Sequence, residues 1–264
     1  MSYSSQTKEE LCRFEPDSVC CLLAELSGIV CAAGSVIYRG GGDKRLSIET
    51  ENNAVARRAF RLLREVFDVQ PQLVTLKRSR LGGRSAYRIE ISGSEASFVL
   101  EGCGIEMGQR RGVPREITVR KCCRMSFLRG VFLACGSVTD PAKRYHLELT
   151  TSHYKVSRET CALLLDAGFS PKETTRGGNS ILYFKQSDMI EDFLTAIGAP
   201  VCAMGVMEAK VEKDLRNGIN RRVNCETANL TKVVDASIGQ VAAIRKLQKQ
   251  GRLKELPPKL RETA

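Results

Sequence analysis

Eleven cysteines and two histidines, His146 and His153, are the side chains of this 264-residue sequence best able to hold a soft metal or attack a substrate. Their spacing speaks against both uses. A tetrahedral zinc site is normally built from closely spaced thiolate or imidazole pairs, and no Cys-x-x-Cys pair occurs. The cysteine count is odd, and Cys20, Cys21, Cys31, Cys122, Cys123, Cys135 and Cys161 lie inside apolar runs. Free cysteine in such a setting behaves as a small hydrophobe. The thiols are therefore read as ordinary buried groups in a reducing compartment, with no metal and no cofactor. No Ser/His arrangement has an acid at a sensible place, so no catalytic residue is assigned. The glycines of GCGIEMG (102–108) follow no strand, and RGGG (39–42) is not followed by Lys-Ser/Thr, so neither is a phosphate loop.

Basic side chains are the other chemistry on offer. Forty-one Lys and Arg stand against thirty Asp and Glu, a net charge of +11. Such an excess favours polyanions, either nucleic acid or an acidic membrane surface. No apolar run approaches the ~18 residues of a membrane span, and the polar start has no signal-peptide core. The expectation is a soluble, cytoplasmic, nucleoid-associated chain with no membrane partner. Positive charge gathers at Lys77, Arg78, Arg80, Arg84 and Arg88, at Lys172, Arg176 and Lys185, and at Arg221 and Arg222 beside Glu226, Thr227 and Asn229. Lys and Arg gain DNA affinity by releasing counterions, and Arg also reads guanine edges. The candidate DNA contacts are Lys77, Arg78, Arg80, Arg84, Arg176, Arg221 and Arg222. The bland alternative is hydrated, solubilising charge. A further basic stretch, Arg110, Arg111, Arg115, Arg120, Lys121 and Arg124 around Pro114, reads as a linker lying over the surface.

The elements that must position these groups come in two copies. Residues 20–36, CCLLAELSGIVCAAGSV, lie over 122–138, CCRMSFLRGVFLACGSV, without a gap. Leu46, Ile48 and Thr50 fall over Leu147, Leu149 and Thr151 in alternating, strand-like text. Helices follow over about 53–67 and 154–167, then hairpins with tips at Gly82-Gly83 and Gly177-Gly178, then short helices near 94–101 and 187–196. Each half, about 15–105 and 117–200, reads helix, strand, strand, helix, strand, strand, helix. The domains expected are 1–105, 106–205 and 206–264.

The first helix of each half is apolar almost all round, which implies burial on most faces. Gly28 and Gly130 cost roughly 1 kcal/mol each against Ala in a helix interior. Close approach of two helix backbones would offset that cost. Gly28, Gly34, Gly130 and Gly136 are taken as the helix-pair interface, with Gly34 and Gly136 as left-handed caps.

Residues 26–34, LSGIVCAAG, and 128–136, LRGVFLACG, resemble the nine-letter motif of the LAGLIDADG homing-endonuclease fold. The resemblance implies an α+β fold, a pseudo-twofold pair of αββαββα repeats with a saddle of antiparallel sheets that lies on DNA. It also implies an acidic residue before each final Gly, to hold divalent metal for phosphodiester cleavage. Here those positions are Ala33 and Cys135, and the motif's other aspartate falls on Cys31 and Leu133. Such side chains do not hold Mg²⁺. Glu25 and Asp140 lie off the motif, and the counterpart of Asp140 is Tyr38. An active nuclease with displaced acids is thus disfavoured.

A narrower resemblance, to the bacterial regulator family WhiA, rests on SSQTKEELCR (4–13) with CCLLAEL (20–26), on FLRGVFLACGSVTDPAKRYHLEL (127–149) and on NRRVNCETANLTKVVDASIGQVAAI (220–244). It implies a degenerate endonuclease-like domain joined to a C-terminal helix-turn-helix. It further implies a non-catalytic DNA-binding transcription regulator in cell division, chromosome segregation or sporulation control. The alternative is a scaffold whose endonuclease-like fold binds another regulator. From residue 210 onward thirteen Lys and Arg face six Asp and Glu, a charge of +7. This basic helical segment is expected to form one or two helices capped at Asn220 or Asn224 and ended by Gly251. The helix-turn-helix is expected to be missing, with the main DNA reader beyond residue 264.

Overall fold

The computed structural model describes residues 2–16, 18–38, 44–76, 85–105 and 111–262. It divides into two compact units, Met1–Lys210 and Val211–Ala264.

The first unit is organised by two helices, α2 (Val19–Ala33) and α5 (Lys121–Cys135). Leu26, Ile29, Val30 and Cys31 of α2 and Phe127, Leu128, Phe132 and Leu133 of α5 are fully buried. Burying each large side chain contributes about 1.5–3 kcal/mol. A Cβ on Gly28 would stand 2.2 Å from the carbonyl oxygen of Phe127, and one on Gly130 would stand 2.0 Å from that of Glu25. Gly28 also faces the amide of Val131, and Gly130 that of Ile29. These contacts exchange under the 102-residue repeat, as a twofold axis between the helices requires.

Each helix runs directly into a four-stranded antiparallel sheet. The first has the order β1-β2-β4-β3, from β1 (Gly34–Tyr38), β2 (Lys44–Thr50), β3 (Gln72–Leu76) and β4 (Ala86–Ser92). The second has the order β5-β6-β8-β7, from β5 (Gly136–Val138), β6 (Leu147–Thr151), β7 (Lys172–Arg176) and β8 (Asn179–Phe184). Register puts Leu46 opposite Ile91 and Ile48 opposite Ile89, all buried, while Ser47 pairs Glu90 and Glu49 pairs Arg88 on the other face. The β7–β8 tip, Gly177-Gly178, has φ of +57° and +81°. That backbone fits a two-residue turn matched to strand twist. The tips expected at 39–42 and at Gly82-Gly83 lie outside the described residues.

Four further helices cover the sheets. Helix α3 (Asn53–Phe67) begins where Asn52 Oδ1 accepts the amides of Ala54 and Val55 at 2.9 and 3.2 Å. Helices α4 (Gly93–Gly102), α6 (Tyr154–Asp166) and α7 (Ser187–Ile197) complete the two repeats. An N-terminal helix, α1 (Tyr3–Arg13), precedes them and packs on α3 and α5.

Helix α8 runs from Pro200 to Lys249. The Glu10 carboxylate of α1 accepts the amides of Val201 and Cys202 at 2.7 and 2.9 Å, which satisfies two of its orphan N-terminal donors. Asn220 and Asn224 lie inside α8 and cap nothing, contrary to the sequence expectation. No proline interrupts residues 201–249, and interior glycines only weaken a helix. In the second unit Gly251, at φ +70°, follows the helix, and α9 (Pro258–Arg261) has proline at its first position. Val223, Leu230, Val234, Ile238 and Val241 are exposed.

Candidate functional site

The site implied by the endonuclease motif lies at the C-terminal ends of α2 and α5. Gly34 and Gly136 are not left-handed there. Their backbones are extended, φ −65° and −80°, because each helix passes straight into a strand. Nor are their nearest neighbours on the partner helix. A Cβ on Gly34 would press on Val30 O at 2.5 Å, and one on Gly136 on the Phe132 ring at 2.4 Å, both in the preceding turn of the same helix. At Gly28 and Gly130 the nearest atoms belong to the partner helix.

The chemistry at these ends does not fit a hard cation. Cys31 Sγ donates to Gly112 O at 3.4 Å, and burial pushes its thiol up to about 12. Cys135 Sγ donates to Val131 O at 3.2 Å, and burial pushes it to about 11. Both are neutral thiols at pH 7, beside Ala33 and the buried Leu133. The charged group that acts on Cys135 is the ammonium of Lys8, from α1. Asp140 Oδ1 accepts the amide of Ala142 and so closes its own turn. Glu9, Glu49 and Glu51 border the adjoining cleft, yet all three come from the first half, facing Ala134, Gly136 and Ser137 of the second. Two-metal cleavage needs carboxylates that converge on ions about 3.5–4 Å apart, and among the described residues no three carboxylates converge in that way.

Glu25 is used structurally. It is fully buried, and its carboxylate accepts Arg58 Nε at 2.7 Å, Arg58 Nη2 at 3.0 Å and Arg129 Nη1 at 3.1 Å. Arg129 also donates from Nε to Ile197 O at 2.5 Å, and its guanidinium lies 4.0 Å over the Phe14 ring. Arg58 reaches Glu15 at 3.3 Å. Burial opposes the charge on Arg58, but the fork to Glu25 outweighs it and leaves its pKa raised. Burial outweighs the Glu25 attraction at Arg129 and leaves its pKa lowered. The triad breaks the pseudo-symmetry, since Phe127 stands at the position equivalent to Glu25 and Ser27 at that of Arg129.

The sequence-derived DNA contacts are scattered. Lys77, Arg78, Arg80 and Arg84 lie outside the described residues. Arg176 is exposed and bonds Glu148 at 2.9 Å, which His146 also approaches at 3.2 Å. In the first sheet Arg88 meets Glu49 at 2.6 Å and Arg45 meets Glu90 at 3.1 Å. Lys185 sits 5.2 Å over the Tyr183 ring. The described arginines of both sheets thus already hold carboxylates. Arg221 and Arg222, in the second unit, are exposed. The basic stretch around Pro114 is only partly a linker, because Lys121 and Arg124 belong to α5 and Arg111 bonds Gly34 O and His153 Nε2.

That last contact has a pH consequence. Burial first, and then the Arg111 charge, lower the pKa of His153 from its ordinary 6.5. A depressed folded-state pKa contributes stability above the unfolded value and loses it as pH falls through the folded one. The melting temperature of His153→Gln should therefore fall less than that of the parent between pH 7 and 5; equal falls would contradict this.

Comparison with known proteins accords with this geometry. The WhiA N-terminal LAGLIDADG-like domain matches residues 19–105, the WhiA LAGLIDADG-like domain residues 124–216, and the WhiA C-terminal HTH domain residues 219–264. The helix-turn-helix expected to be missing is thus matched within this chain. It starts inside the α8 helix, in the stretch expected to be only a basic helical segment, where the continuous helix hides the boundary. The probable cell division protein WhiA of Heliobacterium modesticaldum is 39% identical over 268 residues, covering all of this chain and 84% of that one. Those of Alkaliphilus metalliredigens and Bacillus subtilis are each 36% identical, covering all of this chain and 86% and 84% of theirs. The fold is similar to full-length DUF199/WhiA from Thermatoga maritima, with a TM-score of 0.71 at 24% identity over 99% of this chain and 84% of that one. It is also similar to mesophilic variants of the homing endonuclease I-DmoI, with a TM-score of 0.50 at 16% identity over 68% and 96%. No helix among the described residues is long and apolar enough to cross a membrane.

Proposed function

The chain belongs to the WhiA family, and from that premise we propose that it is a non-catalytic, DNA-binding transcription regulator acting in cell division. Control of chromosome segregation and sporulation, at the nucleoid, belongs to the same reading. The observation that carries it is the coincidence of the helix-turn-helix match, 219–264, with the stretch from residue 210 that holds +7 of the net +11. Phosphate contacts supply most sequence-independent affinity, and Arg221 and Arg222 stand exposed at the start of that match. They head the proposed contact set, followed by Lys77, Arg78, Arg80, Arg84 and Arg176. The missing acids at the ends of α2 and α5 support a scaffold role for the endonuclease-like unit. A second reading, in which that unit docks another regulator, is favoured by the self-neutralised sheet faces, Arg88–Glu49, Arg45–Glu90 and Arg176–Glu148.

Duplex affinity measured across a salt series tests this. Each phosphate contact contributes a slope of about 0.9 in log K against log salt. Arg221→Ala with Arg222→Ala should flatten the slope by about 1.8, whereas Arg176→Ala should change it less. An unchanged slope in the double variant overturns the assignment.

A further inference from the structure

The vicinal cysteines that open the two repeats read in sequence as inert thiols, because no Cys-x-x-Cys pair exists. Reciprocal packing of α2 on α5 supplies the missing proximity. The Sγ atoms of Cys20, Cys21 and Cys123 all lie within 4.8 Å of one another. The Sγ of Cys122 lies 4.0 Å from that of Cys123. In a tetrahedral thiolate site with metal–sulfur bonds near 2.3 Å, the sulfurs stand about 3.8 Å apart. Closing the cluster on an ion therefore requires movements of about 1 Å or less for the three convergent sulfurs, within reach of side-chain torsions. Among the described residues no other three His, Cys, Asp or Glu side chains converge in this way.

We propose that Cys20, Cys21 and Cys123, with Cys122 completing the tetrahedron, bind one thiophilic metal ion of the zinc(II) class across the pseudo-twofold axis. Soft thiolate donors select such ions over Mg²⁺ or Ca²⁺. Cys21 and Cys123 are buried and supply a fixed floor, while half-buried Cys20 and exposed Cys122 leave a path from solvent. Ser18 Oγ, 3.3 Å from Cys20 Sγ, and Arg120 Nη1, 3.8 Å from it, are placed to support a ligated sulfur and to offset its negative charge. Cys20 and Cys21 lie in the first turn of α2, and Cys122 and Cys123 in the first turn of α5. Two positive helix ends thus meet at the thiolates. The site lies at the opposite end of the helix pair from the lost endonuclease site, and an ion there would tie the two repeats together.

The test uses the full chain, reduced with a phosphine and stripped of metal, titrated with Co²⁺ and then Zn²⁺. A near-ultraviolet sulfur-to-cobalt charge-transfer band is expected, saturating at one Co²⁺ per chain and removed by one Zn²⁺. Cys20→Ser and Cys123→Ser should abolish it, Cys122→Ser should weaken binding, and Cys225→Ser, in the second unit, should leave it unchanged. Cys20 is half-buried, so its variant carries the test even if Cys123→Ser fails to fold by circular dichroism. Absence of the band in the parent, its persistence in Cys20→Ser, or its loss in Cys225→Ser overturns the proposal.

Discussion

Glu25→Gln will lower the unfolding free energy of the chain by about 3–5 kcal/mol, read as a lower urea midpoint at an unchanged slope. The substitution preserves shape and removes one charge. It leaves two guanidiniums whose side chains are only 1% and 4% exposed, Arg58 and Arg129, without their shared counter-ion. Arg58 keeps a partial partner in Glu15, but that carboxylate is mostly in solvent and cannot replace a buried fork. Removing one member of a buried ion group costs far more than replacing the group by well-packed apolar side chains. The triple variant Glu25→Leu, Arg58→Met, Arg129→Met should therefore recover most of the loss. A cost for Glu25→Gln below about 1 kcal/mol, the value of an exposed pair, would mean that water reaches the triad.

The second large effect is at the helix crossing. Gly130→Ala or Gly28→Ala should cost about 3 kcal/mol, the upper end of the overpacking range. The atoms a methyl would strike, Glu25 O and Phe127 O, are helix backbone and cannot rotate away. The helices must instead separate, and the packing of Phe127 and Ile29 separates with them. Alanine's better helix propensity, about 1 kcal/mol, works against this loss. Gly239→Ala isolates that opposing term, because nothing lies within 4 Å of its added Cβ. Thermal unfolding of the three variants should show two marked losses and no loss at Gly239. Equal behaviour of Gly130→Ala and Gly239→Ala would refute the close crossing.

The repeat made most of the first unit legible. A hydrophobic pattern and its turn glycines, stated twice, locate helices and strands independently, and α3, α4, α6 and α7 fall within a residue or two of where periodicity puts them. What stayed hidden depends on asymmetry or on contacts distant in sequence. Helix α1 has a polar sequence in which only Thr7 and Leu11 are buried, so no stripe announces it. Glu25, set in an apolar helix, was a visible anomaly, but its partners lie 33 and 104 residues away. The glycine after each central helix suggested a left-handed cap, the usual reason for such a residue. Here the need is room against the preceding turn as helix gives way to strand. The cysteine cluster escaped for a related reason, since ligand spacing rules describe one segment and this cluster draws on two. The helix-turn-helix escaped because a long helix of mixed charge carries no punctuation at residue 219.

The LAGLIDADG-like unit carries Ala33 and Cys135 where the motif's acids would stand, and on the proposed reading it binds DNA without cutting it. Incubating the chain with duplex DNA in Mg²⁺ or Mn²⁺, at concentrations where the complex forms, tests it most directly. A retarded complex in which both strands stay intact is the expected result. Divalent-dependent nicking that copurifies with the chain and disappears in Glu49→Gln or Glu51→Gln would contradict it.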